Sequence, residues 1–238
     1  MKKKVITGDM VKTLYESKFV KLYDLQYEPG KHYYDATRHS AENLIAVKSE
    51  EEFRSMVPDA VTCVVILVEE GKEPKLLLTR EYRYPTGQFV LSLPAGLIDP
   101  EDQAASLPAC AMTSHWRIEE DGPAERAALS AAVREIKEES GLDVNDGGRI
   151  SLVTPCVFSS PGMTDESNAI CCAVIRRKEA FNLSQAGAVG SELFDGFVLV
   201  TKEEAREILK KGRDAYGIFY PAYTWMGLIY FISGMWEE

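Results

Sequence analysis

Three glutamates, Glu135, Glu138 and Glu139, lie within Arg134-Glu135-Ile136-Lys137-Glu138-Glu139-Ser140-Gly141-Leu142 at positions i, i+3 and i+4. On a helix that spacing puts all three carboxylates on one face. Like charges so placed repel by about a few tenths of a kcal/mol per pair, so helix stability alone does not favour them. A divalent cation reverses the balance. Mg²⁺ is hard, takes oxygen ligands, and is commonly held by a few carboxylates together with substrate phosphates. Arg134 stands four residues before Glu138 and can pair with it and orient it. The plainer alternative is a glutamate-rich face that is only solvated.

The helix that must carry this cluster is expected between Pro123 and Gly141, with Asp121 as its cap, Pro123 in its first turn and Gly141 ending it in a left-handed conformation. Strands are expected at Phe19 to Tyr27, Asn43 to Val47, Ala60 to Val68 and Lys75 to Arg80, where β-branched and aromatic residues concentrate. The run from Val61 to Val68 is nearly all apolar, as in a strand covered on both faces. Two more strands follow near Ile150 to Phe158 and Asn168 to Arg176. A second helix is expected from Lys202 to Lys211, with Thr201 and Glu204 in capping-box spacing and Gly212 at its end. Pro100 to Asp121 fits neither period and reads as an inserted loop. Strands mixed with a few helices predict an α/β/α layered domain.

Composition narrows the function. The 238 residues are 45% hydrophobic and 27% charged, ordinary for a globular chain with a sizeable core. A formal net charge of −10 argues against a nucleic-acid-binding surface. Five cysteines form no CxxC pair and only three histidines are present, so a zinc site is not expected. Cys110 and His115, five residues apart, read as incidental. Reduced thiols and no apolar leader after Met1-Lys2-Lys3-Lys4 predict a cytoplasmic protein. Ala215 to Trp236 carries no charge, but Pro221, Gly227 and Gly234 interrupt it and tyrosines dilute it. It reads as a core or interface helix rather than a membrane span. No serine-hydrolase elbow, P-loop or dinucleotide fingerprint occurs.

Arg134 to Leu142 resembles the second half of the Nudix box, R-E-U-x-E-E-x-G-U, where U is aliphatic. The first half should supply a glycine, five residues, a glutamate and seven residues. Gly96, in Leu93-Pro94-Ala95-Gly96-Leu97, resembles the opening glycine, but it lies 38 positions before Arg134, about 24 more than the pattern holds. Counting back from Arg134 puts the missing glutamate at Arg126, with Glu125 one residue early. Glu81-Tyr82-Arg83 followed by Leu93-Pro94-Ala95-Gly96 is similar to the Q-Y/F-R…PAG segment of ADP-ribose pyrophosphatases, and Ser92 stands where an acid often precedes that PAG. Ser160-Pro161-Gly162-Met163-Thr164-Asp165-Glu166 is similar to their S-P-G-x-x-x-E loop.

The resemblance implies an α+β fold: a Nudix-like α/β/α sandwich with a mixed sheet, plus a small N-terminal β subdomain. Residues 1–50 would be the subdomain and dimerisation element, and 51–238 the hydrolase domain with an insertion at about 100–121. It implies Mg²⁺-dependent hydrolysis of ADP-ribose to AMP and ribose 5-phosphate, with Mn²⁺ as a substitute ion, by a homodimer. Glu135, Glu138, Glu139 and the Ala95 carbonyl would hold the metal. Glu166 would be the general base or position the water, beside Glu138, Glu139 and Arg134 in the catalytic set. Arg83 would bind phosphate, Tyr33 would stack on adenine, and Arg38 would bind phosphate or base. Tyr33 packing on its strand neighbours is the plainer alternative. Hydrolysis of another nucleoside diphosphate derivative, or a non-catalytic ADP-ribose sensor, are the competing functions.

Overall fold

The computed structural model describes residues 5–112, 122–187 and 192–237. Two compact units divide it, residues 1–59 with 156–168, and residues 60–155 with 169–238.

The first unit is built on an antiparallel three-stranded sheet, β1 (Val11–Glu16), β2 (Lys21–Glu28) and β3 (Lys31–Thr37), in that order. Gly30, at φ 72°, makes the tight turn between β2 and β3. Tyr23 and Leu25 of β2 pack with Leu44 in a small core. Asn43 to Val47 is not the expected strand. It forms two short 3₁₀ turns, Ala41–Asn43 and Ile45–Val47. One anchor, the fully buried Leu44 between them, accounts for the apolar run there. A short helix, α1 (Glu50–Arg54), follows with a capping box from Ser49 and Glu52.

The second sheet runs β10 (Phe194–Val200), β5 (Lys75–Arg83), β4 (Ala60–Glu69), β9 (Ser167–Arg177), β8 (Gly148–Phe158). β6 (Gln88–Ser92) pairs with the end of β5, and β7 (Ala95–Leu97) with the start of β4. β4 is buried from Ala60 to Leu67 and β9 from Ser167 to Ile175, as their apolar sequences demand. Cys171 and Cys172 sit in β9 as reduced, buried residues.

Helices cover this sheet on both sides. α3 (Pro123–Ser140) packs on β4 and β7, with Cys63 and Cys171 Sγ lying 3.9 and 3.8 Å from its Ala132 and Ala128 carbonyls. α4 (Lys202–Lys211) and α5 (Ala222–Ser233) pack on each other and on β10, β4 and β6. Gly227 of α5 lies so close to Leu93 that an added Cβ would stand 2.6 Å from its Cδ1. This is the expected α+β sandwich with a mixed sheet, its antiparallel pairings joined by a parallel bridge between Ala111 and Ile150.

Both predicted helices form. Gly141 ends α3 at φ 73°, and α4 has the Thr201–Glu204 capping box and ends at Gly212. Gly122 is the N-cap of α3, whereas Asp121 and His115 lie outside the described residues. The insertion is not wholly a loop. It opens with a helical turn, α2 (Pro100–Ala104), and Met112 N–H donates to the Ile150 carbonyl at 2.7 Å. The uncharged C-terminal run forms α5, and no described helix is long and apolar enough to cross a membrane.

Candidate active site

β4 and β7 pair with Val61 opposite Gly96 and Thr62 opposite Ala95, which lays the Ala95–Gly96 backbone beneath α3. Ala95 N–H donates to Glu139 Oε1 at 3.3 Å. A Cβ on Gly96 would stand 1.9 Å from Glu135 Oε1, so only glycine leaves room for that carboxylate. Glu135 and Glu139 are 6% and 4% exposed, while Glu138 is half-buried. The glutamates are therefore not a solvated face.

Arg134 organises this end of α3. Its Nη1 donates to Glu135 Oε1 at 2.7 Å and to Glu138 Oε2 at 3.4 Å. Its other edge donates to Asp102, Nη2 to Oδ2 at 2.8 Å and Nε to Oδ1 at 3.4 Å, and Nη2 also donates to the Leu97 carbonyl at 2.8 Å. Asp102 is 5% exposed and accepts from the N–H of Asp99, the N-cap of α2. Counting forward from Gly96, Asp102 is the residue after five intervening ones. It therefore occupies the first-half acidic position, as aspartate. The insertion falls in the second spacer, between Asp102 and Arg134, rather than between the glycine and its acid. Glu125 is buried near the start of α3 and is not among the acids that bind Arg134.

The electrostatics match a carboxylate cluster paired with the Arg134 guanidinium. Burial pushes Glu135 up to about 7, against the pull of Arg134 and with the push of Glu138 and Glu192. Burial pushes Glu139 up to about 9, opposed by the Ala95 amide and reinforced by Glu81, Glu135 and Glu192. Glu192, just before β10, is exposed, and its charge reaches the same cluster. Sequence reasoning missed it, since it belongs to no spacing that starts from the box. Ser184 N–H bonded to the Ser140 carbonyl at 2.9 Å ties the preceding loop to the end of α3. Arg83 stands at the end of β5 with Nη2 2.6 Å from Glu81 Oε2.

As they stand, no three acidic, His or Cys side chains among the described residues ring a single point. The donor set nevertheless fits a hard divalent cation. All candidate donors are oxygens, two are buried carboxylates raised by desolvation and mutual repulsion, and a carbonyl edge lies beside them.

The other expected residues belong to the first unit. Tyr33 Oη donates to the Gly162 carbonyl at 2.9 Å, and Ala36 N–H to Met163 O at 3.0 Å, so β3 holds the Pro161-Gly162 loop. Tyr33 stays half-exposed. Arg38 Nε lies 3.8 Å from Glu166 Oε1, beside a cavity of about 150 Å³ also lined by Val20, Asp59, Thr164 and Asp165. The sequence placed Arg38 and Glu166 in separate roles, and the structure brings them together as an ion pair.

The sequence profile of the NUDIX domain matches residues 56–223. Among curated relatives, a Caenorhabditis elegans protein named putative nudix hydrolase 2 is 30% identical over 112 residues, 47% of this chain and 38% of its own length. The ADP-ribose pyrophosphatase of Saccharomyces cerevisiae is 29% identical over 108 residues, 45% of this chain and 35% of the yeast protein. The ADP-sugar pyrophosphatase of Mus musculus is 24% identical over 146 residues, 61% of this chain and 54% of the mouse protein. The chain thus spans between about a third and a half of the length of these three relatives. A solved structure described as an ADP compounds hydrolase aligns over 92% of this chain and 88% of its own at a TM-score of 0.47 and 16% identity. With the profile covering most of the chain, and the box acids, Arg134 and Gly96 assembled as described, this chain belongs to the Nudix family.

Proposed function

We propose that the chain hydrolyses the pyrophosphate bond of ADP-ribose or a related nucleoside diphosphate sugar, with Mg²⁺ as cofactor and Mn²⁺ as substitute. The observation that carries this reading is the pair of buried carboxylates packed against Ala95–Gly96, Glu135 held by Arg134 and Glu139 by the Ala95 amide. The names of the yeast and mouse relatives support the substrate class.

Glu135, Glu138, Glu139 and the Ala95 carbonyl would hold the cations. Bound there, divalent ions supply charge neutralisation for the pyrophosphate and lower the pKa of a water. Arg134 keeps Glu135 and Glu138 oriented, as its planar fork allows. Arg83 binds a phosphate oxygen. Tyr33 stacks on the adenine, and Arg38 binds a phosphate or the base. Glu166 takes the proton of the attacking water or positions that water. Glu192 is the second candidate for that role, because its charge is felt by Glu135 and Glu139.

The dimerisation element is residues 1–50, where the sheet leaves Leu14, Tyr15 and Tyr34 exposed and the β1–β2 connection leaves Phe19 and Val20 exposed. Sedimentation at micromolar concentration tests it, with a monomer as the contrary result.

The test of function is incubation with a panel of diphosphates and Mg²⁺, products separated by chromatography. Cleavage of ADP-ribose to AMP and ribose 5-phosphate is expected. Binding without cleavage under any divalent metal would select the sensor reading instead. Glu166→Gln and Glu192→Gln, assayed side by side, assign the base: the residue in that role loses kcat by about 10²-fold or more with little change in KM.

A further inference from the structure

β5 and β6 pair with Thr79 opposite Ser92 and Glu81 opposite Val90. On the sheet face that carries Thr79, Glu81 and Arg83, Glu81 therefore stands diagonal to Ser92 and two residues before Arg83. The two members of the Glu81–Arg83 pair differ in exposure. The arginine side chain is 48% exposed and the glutamate only 12%. An ion pair between two exposed side chains fixes neither of them. Here the carboxylate is embedded in the sheet, so it decides where the longer guanidinium stands.

A guanidinium carries five donors in one plane, and a single contact through Nη2 leaves its remaining donors available. Burial raises Glu81, and Arg83 is the strongest influence favouring its charged form. Ser92, 3% exposed, has no partner in hydrogen-bond geometry, yet its hydroxyl also lies close enough to favour that form. The family segment this stretch resembles has a glutamine at the first position and often an acid before PAG. This chain has Glu81 and Ser92. Glu81 thus puts a side-chain oxygen on the same face as Ser92, where it meets the Arg83 guanidinium.

We propose that Glu81 is the positioning residue of Arg83, holding part of its guanidinium so that the rest faces a substrate phosphate. This rests on reading the chain as a diphosphate hydrolase.

Steady-state kinetics on ADP-ribose with Mg²⁺, using Glu81→Ala, Glu81→Gln, Arg83→Ala and the Glu81→Ala/Arg83→Ala double variant, test it. Glu81→Ala should raise KM about tenfold and change kcat less than about threefold. Glu81→Gln, whose amide oxygen still accepts from Arg83, should stay within about threefold of the wild type on both. In the Arg83→Ala background, removing Glu81 should change nothing further. Calorimetric titration with inorganic pyrophosphate and Mg²⁺ gives a readout independent of turnover, and Glu81→Ala should bind about tenfold more weakly than wild type or Glu81→Gln. If Glu81→Ala does not melt cooperatively, Glu81→Ser takes its place. Additive effects in the double variant, or a kcat loss shared by the Ala and Gln variants at unchanged KM, overturn the assignment. So does pyrophosphate affinity that Glu81→Ala leaves unchanged. A wild type that cleaves no diphosphate refutes the functional reading alone, because the pyrophosphate titration still decides the role of Glu81.

Discussion

Arg134 makes contacts in two directions, and the difference between them defines its work. Toward Glu135 and Glu138 it holds groups whose placement matters for chemistry; toward Asp102 and the Leu97 carbonyl it is itself held. A two-point carboxylate–guanidinium contact fixes orientation as well as charge. Replacing Asp102 by Ala should therefore lower kcat by about 10–100-fold and stability by about 1–3 kcal/mol. Asp102→Glu, the acid usual at this position of the box, should restore part of both; full activity in the Ala variant, read by kinetics and thermal melting, would remove Asp102 from this role. Glu139 offers the opposite combination. Its carboxylate is buried and strained by burial, so Glu139→Gln should abolish most turnover, by about 10³-fold, while the metal-free protein melts no lower than wild type. The three box glutamates were legible in the sequence because their spacing falls within a longer stretch, Arg134 to Leu142, that resembles the family box. Asp102 was not, because counting back from Arg134 crosses an insertion of unknown place. Only counting forward from Gly96 reaches it.

At the scale of elements, close approach of backbones explains what the residue types alone could not. Gly96 sits in a three-residue strand beneath α3, and its missing side chain is the space that Glu135 uses. Gly187 is constrained differently: its Cβ would stand 2.6 Å from the Glu138 carbonyl and 2.9 Å from the Glu138 Cα, which are backbone atoms of the helix end. The two alanine variants should separate accordingly. Gly96→Ala can be accommodated by swinging the Glu135 side chain away, so it should reduce activity by about 10²-fold with a small change in melting temperature. Gly187→Ala requires the loop or helix end to move and should cost about 1–3 kcal/mol of stability. A Gly96→Ala enzyme of normal activity would contradict the placement of Glu135. The long elements were readable because each carries its own signal: the capping box and Gly212 of α4, the left-handed Gly141 of α3, the apolar run of β4. Asn43 to Val47 misled because one buried leucine between two 3₁₀ turns imitates a short strand in composition. Glu81 and Glu192 were invisible as partners of the box because strand pairing and a loop, not sequence distance, bring them there.

For the molecule as a whole, the surplus of acids is partly internal, and that has consequences for how folding depends on pH. In the first unit Asp59 accepts from Ser167 N–H and Oγ–H, both at 2.8 Å, and its Oδ1 lies 2.9 Å from His39 Nε2. Burial works against the charged form of Asp59, but the nearby His39 and the bonds from Ser167 outweigh it and hold the acid below its ordinary range. The Asp59 carboxylate beside its Nε2 holds His39 above its ordinary value, against its own burial. The signs follow from linkage. His39 contributes stability that is fully present below its unfolded pKa, near 6.5, and is lost as pH rises through its raised folded value. Asp59 contributes stability present above its unfolded pKa, near 3.8, and lost as pH falls through its lowered folded value. The pair is therefore strongest between those limits. Asp35, 7% exposed, runs the other way for an acid: burial and then the charge of Asp165 push it up to about 6. Its ionisation between about pH 4 and 6 costs the fold on the order of 1–2 kcal/mol. Amide hydrogen exchange of β2 and β3, followed from pH 4 to 8 after correction for intrinsic rates, reads these contributions locally. Protection should fall between pH 4 and 6 in the wild type, and Asp35→Asn should flatten that fall. A second decline above pH 6.5 should vanish in His39→Asn. If both variants keep the wild-type profile, neither group titrates with folding, and the His39–Asp59 bond is a static contact of the first unit.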